Sequence, residues 1–254
     1  MTALRKVVDL ADQRLEPEHC RVDQFRRAIR AITMEHRPSG MPFFARLRAA
    51  SAEVAGSPAL LGRIHLIYQA TMHATRAAVY FLPHLDSPAL RKRKLQIFID
   101  DDGLGGGDTH HYQLTRAFRN IGADILLDDE EFGSTDDLCK HLDSETAHFV
   151  RIAGQLYAHS LGPWCVVEVM SVNWMRALAD AISKHFPGFA REPYFAECFS
   201  QRVEERHAEE SLEVTEMVLK NRPELLPDTL RDAKRIAEAL DGVWMHLDRI
   251  VRTA

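Results

Sequence analysis

The segment WCVVEVMSVNWMRALADAISKHF, Trp164 to Phe186, decides the fold class. Its apolar residues recur at three- and four-residue intervals and cover nearly the whole circumference, the pattern of a helix buried in a core. Gly162-Pro163 separates it from what precedes, and Pro187-Gly188 ends it. In its first two turns Glu168 stands among Trp164, Cys165, Val166, Val167, Val169 and Met170 with almost no polar company. An unpaired charge is costly to bury, so Glu168 requires a partner: a cation, or a side chain sharing a proton.

Working outward, the same periodicity recurs in both directions, interrupted by Pro, Gly and capping residues. Toward the N-terminus the expected helices are Thr2 to Leu15, Val22 to His36, Pro42 to Ala55, Pro58 to Leu82, Ala89 to Asp102, and one capped by Asp108 or Thr109 that runs to Ile121. After Gly133-Ser134, the residues Leu138, Leu142, Phe149, Ile152 and Leu156 form one apolar stripe. Toward the C-terminus, Pro193 opens a helix to Lys220, and Asp228 to Val251 forms the last. The expectation is an all-α, single-domain bundle of seven or more helices over residues 1–254, with no internal repeat.

Composition narrows the functional classes. Apolar residues make up 46% of the 254-residue chain, enough for a substantial core and too many for a disordered one. No apolar run reaches the roughly 18 to 20 residues a membrane span needs, and the N-terminal MTALRKVVDLADQRL alternates charges where a signal peptide would be apolar. A cytoplasmic protein without a membrane partner is expected. Lys and Arg total 32 against 37 Asp and Glu, and the net charge of −5 argues against nucleic acid as a partner. Cys20, Cys139, Cys165 and Cys198 contain no CxxC pair, so they read as reduced, buried thiols.

Two motif readings fail on inspection. Leu95 to Ile99 followed by Gly103-x-Gly105 and a distant Asp128 has the outline of a dinucleotide fingerprint, but its third glycine position is Asp108 and Asp100 to Asp102 would repel a pyrophosphate. Glu145-x-x-His148 and Glu204-x-x-His207 each place a carboxylate and an imidazole on one helical face, as in ferritin-like di-iron sites. That order needs a Glu on the helix before the first pair, yet there is none between Glu53 and Glu130.

What remains is an ordered series. Asp101-Asp102-Gly103-Leu104-Gly105 is followed by His111-Tyr112-Gln113-Leu114, then by the isolated Glu168, then by Glu204-Glu205-Arg206-His207. Over about Leu60 to Met217 this resembles the heme-oxygenase-like di-iron oxidases and oxygenases. These share the heme-oxygenase fold, bind no haem, and carry a Glu-x-Gly-x-Gly turn with a following His, an isolated Glu on a buried helix, and His-x-x-x-Asp-x-x-His on a later one. Two departures from that pattern matter most: Asp101 replaces Glu, and Ser200 stands where the first His of the last motif belongs. Glu204 replaces Asp and keeps the carboxylate. Asp100 with His110 has the same spacing as Asp101 with His111, so the register stays open between them.

The resemblance implies that Asp101, His111, Glu168, Glu204 and His207 hold Fe(II), two ions of unequal affinity because Ser200 offers no imidazole. It implies an O2-dependent oxidation of a small, amino-acid-derived substrate in specialised metabolism: N-oxygenation, desaturation or oxidative carbon–carbon cleavage. A homodimer and an external electron donor are compatible with it. The alternatives are a metal-free helical scaffold and a cofactor-independent or thiamin-salvage-like enzyme on the same fold, the last needing a nucleophilic cysteine such as Cys165 or Cys198.

Overall fold

Proline and capping residues set most of the helix starts. The computed structural model describes residues 19–101, 108–127, 134–200 and 202–254. The expected helix from Thr2 to Leu15, the Gly103 to Gly107 turn and Gly133 lie outside the described residues. α1 spans His19–Glu35, α2 Pro42–Ala49, α3 Ala52–Ala55, α4 Pro58–Thr75 and α5 Pro88–Asp101. α6 follows over His110–Asn120, α7 over Thr135–Cys139, α8 over Ser144–Tyr157 and α9 over Leu161–Ser183. α10 covers Pro193–Ser200, α11 Val203–Asn221 and α12 Leu226–Thr253. Among the described residues there is no strand, so the chain is all-α, with more than seven helices. Leu95 to Ile99, the strand a nucleotide fold would need, lies inside α5.

Four boundaries differ from the sequence reading. The helix expected over Pro42 to Ala55 is broken, because Ser51 turns to accept from the Val54 amide and caps α3. The helix expected to reach Leu82 leaves α geometry after Thr75 and tightens into a 3₁₀ segment, Arg76–His84, with Pro83 inside it. Asp143 accepts from the Thr146 amide and starts α8, so Leu138 and Leu142 precede the helix that carries Phe149, Ile152 and Leu156. Pro193 to Lys220 is two helices separated at Arg202, whose φ of 52° is left-handed. No proline or glycine announces that last break.

α9 is the central helix, starting at Leu161 behind the Ser160 cap. It packs against α12, α11 and α2, while α12 also covers α8 and α8 packs on α4. Gly162 makes the α9–α12 crossing close: a Cβ there would lie 1.9 Å from the Thr229 carbonyl oxygen. One apolar core runs from Phe25 on α1 to Val251 on α12. It includes Phe149, Tyr157, Trp164, Val166 and Trp244. No helix among the described residues is long and apolar enough to cross a membrane.

Candidate metal centre

Five helices deliver side chains to one interior point. Asp100 and Asp101 close α5; His110 and His111 open α6, whose start is fixed by Thr109 accepting from the Tyr112 amide. Glu168 sits mid-way along the buried face of α9, Cys198 near the end of α10, and Glu204 and His207 in the first turns of α11. Two carboxylates at a helix C-terminus oppose the macrodipole, an arrangement that a cation beside them relieves. Glu204 near the α11 N-terminus has the favourable orientation.

Ligand-type atoms of Asp101, Glu204 and His207 lie within 4.8 Å of one another, as do those of His110, Cys198 and Glu204. Glu204 is common to both groups. His207 Nε2 is 3.0 Å from Asp100 Oδ2, and His110 Nδ1 is 3.2 Å from Asp101 Oδ1. Asp100 also accepts from Gln96 Nε2 at 2.8 Å and from Arg206 at 2.9 Å. That carboxylate therefore takes the Nε2 proton of His207 in a hydrogen bond and turns Nδ1 toward Asp101 Oδ1, 3.8 Å away. His207 Nδ1 is buried and has no hydrogen-bond partner among the described residues. With one nitrogen held by Asp100, the imidazole aims its other nitrogen at two carboxylates, the donor arrangement a transition ion takes.

Glu168 faces the same cavity and lies outside both close groups. Its partner is the Trp164 indole one turn earlier, which donates to Oε1 at 2.9 Å. Among the described residues neither Glu168 nor Glu204 forms an ion pair with an arginine or a lysine. Burial raises the Glu168 carboxyl well above the usual range, and Asp101 and Glu204 add to this while His207 opposes it. Burial and then Asp101 raise Glu204 as well. For His207, burial disfavours the charge, but Glu168, Asp101 and Glu204 outweigh it and hold its value up. Asp100 goes the other way: the hydrogen bonds from His207, Gln96 and Arg206 overcome burial and lower it.

The cavity beside these groups has about 70 Å³ of room for the centres of water-sized molecules. Phe98, Phe149, Met72 and Met175 give it apolar walls. A polar corner is formed by Tyr68, whose hydroxyl meets Tyr194 Oη at 2.9 Å and accepts from Trp174 Nε1 at 3.2 Å. Burial raises both tyrosines, so they stay phenols able to donate. On the far side of Trp164, Lys94 Nζ lies 3.1 Å from the ring centre.

Of the residues singled out from sequence, Asp101, Glu168 and Glu204 line one cavity, and His207 stands beside Asp101 and Glu204. His111 is buried and lines the cavity too, but the imidazole beside Asp101 and in the second close group is His110. Ser200 closes α10, and its side chain is outside the described residues. The break at Arg202 removes the continuous helical face that would have aligned Ser200 with Glu204 and His207. Sequence spacing missed Asp100 as the orienting carboxylate of His207, and it named Cys198 only as a candidate nucleophile, not as a donor beside Glu204. It also missed Ser171, whose Oγ is 3.0 Å from Glu204 Oε2 and which sits one helical turn after Glu168. His148 is exposed, and Glu145 pairs with Arg249 instead. The half-buried trio Asp143, Glu145 and His246 is thus already occupied by an arginine and by the α8 cap. No family model, no curated protein and no solved structure was found to match this chain.

Proposed function

We propose that this cavity binds ferrous iron and that the protein is an O2-dependent non-haem iron oxidoreductase of a small, amino-acid-derived molecule, built on a heme-oxygenase-like bundle. The observation that carries the reading is the orphaned His207 Nδ1 beside Asp101 and Glu204, in an interior where no lysine or arginine among the described residues pairs with Glu168 or Glu204. The donor set fits iron: carboxylates and imidazoles hold Fe(II) without closing every coordination position. Bound there, the metal supplies electrons to O2 for oxidation of a neighbouring substrate. Asp101, Glu204 and His207 would hold one position, with Asp100 orienting His207 and Glu168 facing it across the cavity. Phe98, Phe149, Met72 and Met175 exclude bulk water, and the Tyr68–Tyr194 corner offers phenolic donors to a polar substrate group. The thiamin-salvage-like alternative has less support, since burial pushes the Cys165 thiol up to about 12 and raises that of Cys198 as well, so neither is poised as a nucleophile.

The test is anaerobic titration with Fe(II), followed by admission of O2 while absorbance is recorded. Iron should bind, and a transient band should appear and decay. His207→Ala should deplete the iron while leaving the helical circular dichroism unchanged. Negligible iron binding by the unmodified protein would sink the proposal in favour of a metal-free scaffold.

A further inference from the structure

His110, Cys198 and Glu204 are buried side chains of three donor types, from α6, α10 and α11, with ligand-type atoms within 4.8 Å of one another. α10 packs against both α6 and α11. Tyr194 and Cys198, one turn apart on α10, share a face. Tyr194 sets its ring edge-on against His110, with centroids 5.5 Å apart, so that face is turned toward the α6 N-terminus. Glu204 is common to this trio and to the group it forms with Asp101 and His207. Glu204 can present one carboxylate oxygen to each side.

We infer that the side-chain cluster beside the cavity is a two-position metal centre in which Glu204 is shared and the second position is held by His110 and the Cys198 thiolate. This rests on the metal-binding reading of the cavity and adds to it a sulfur donor. Cys198 Sγ and a Glu204 carboxylate oxygen already stand within 4.8 Å of each other and of a His110 ring nitrogen. A divalent cation held there takes the sulfur as thiolate, because a coordinated thiol gives up its proton. The two positions then differ in kind. Asp101, Glu204 and His207 form an oxygen-rich set suited to Fe(II) or Mn(II), whereas an N, O, S set favours zinc, cobalt or ferrous iron over manganese and magnesium.

Cobalt(II) reports sulfur ligation directly, so the experiment is anaerobic titration of the full chain with Co(II) alone, followed by near-ultraviolet and visible absorbance. The unmodified protein should develop a thiolate-to-cobalt charge-transfer band. Cys198→Ser should lose that band and weaken one class of cobalt site by more than about tenfold, whereas Cys165→Ser should retain both. Because Cys198 is fully buried, its replacement is checked by circular dichroism. A measurement free of any substitution accompanies it: X-ray absorption of the zinc-loaded protein should show a sulfur scatterer at about 2.3 Å. Cobalt binding with neither band nor sulfur scatterer would overturn the thiolate position and leave the iron proposal standing. A band that survives Cys198→Ser would overturn it likewise, by assigning the sulfur elsewhere. No cobalt or zinc binding at all would overturn both readings together.

Discussion

Lys94 is buried on α5 with its Nζ against the Trp164 ring and without a hydrogen-bond partner among the described residues. Burial lowers its value well below that of an ordinary lysine, so folding favours the neutral amine over the ammonium that the unfolded chain holds. The unfolded state therefore binds more protons, and this group makes stability rise with pH between its depressed value and the ordinary lysine range. Lys94→Met keeps the length and apolar contact of the side chain and removes the amine. It should stabilise the protein by about 1–3 kcal/mol near neutral pH, the typical cost of a buried unsatisfied donor. The gain should shrink as pH climbs toward the lysine range. Urea unfolding of both proteins at several pH values checks this, and a gain that grows with pH would refute it. The sequence gives little warning of this residue, since Arg91-Lys92-Arg93-Lys94 looks like a uniformly solvated run. Glu168 was legible for the opposite reason: its neighbours along the chain are themselves apolar, so local pattern alone implies burial. Choosing His110 over His111 needs the direction in which α6 leaves Thr109, and spacing along the chain does not carry that.

At the scale of elements, starts were legible and internal breaks were not. Pro42, Pro58, Pro88 and Pro193 each sit at the first position of a helix, where the missing amide proton costs nothing. The break at Ser51 is a serine cap inside an apolar-periodic run, and that at Arg202 is a left-handed residue with no side-chain signature; neither carries a proline or a glycine. Two glycines inside helices separate the local effect from the packed one. Gly154 of α8 has nothing within 4 Å of an added Cβ, and Gly154→Ala should stabilise the protein by about 0.5–1 kcal/mol through helix propensity. Gly162 of α9 would place that Cβ 1.9 Å from the Thr229 carbonyl oxygen, so Gly162→Ala must push α9 and α12 apart. It should destabilise by about 2–3 kcal/mol, the range for overpacking. The same substitution thus changes sign between the two positions. Denaturant midpoints for the two variants measure it, and a neutral Gly162→Ala would mean that the α9–α12 crossing is not tight.

Across the whole molecule, the residues proposed to hold metal come from α5, α6, α10 and α11, from Asp101 to His207, and no short segment carries a complete set. The unfolded chain therefore has no comparable site, and binding to the interior cluster adds its full free energy to folding. At a free ion concentration about a hundred times the dissociation constant, that contribution is about 2.7 kcal/mol. For a chain of this size each kcal/mol moves the melting temperature by about 2–4 °C, so saturating Fe(II), Co(II) or Zn(II) should raise Tm by roughly 5–10 °C. Mg(II), which sheds its waters reluctantly and disfavours nitrogen and sulfur donors, should do far less. A surface ion atmosphere behaves differently: it responds to divalent charge in general and does not distinguish zinc from magnesium. His207→Ala removes one donor of the first position from α11, and its melting temperature should move by only a fraction of the unmodified protein's shift. Calorimetric melts of chelated, Mg(II)-loaded and Zn(II)-loaded protein, with and without His207→Ala, give the comparison. Equal shifts for zinc and magnesium would place the bound ion elsewhere than in the five-helix interior, and a full shift in the His207→Ala variant would remove His207 from the ligands.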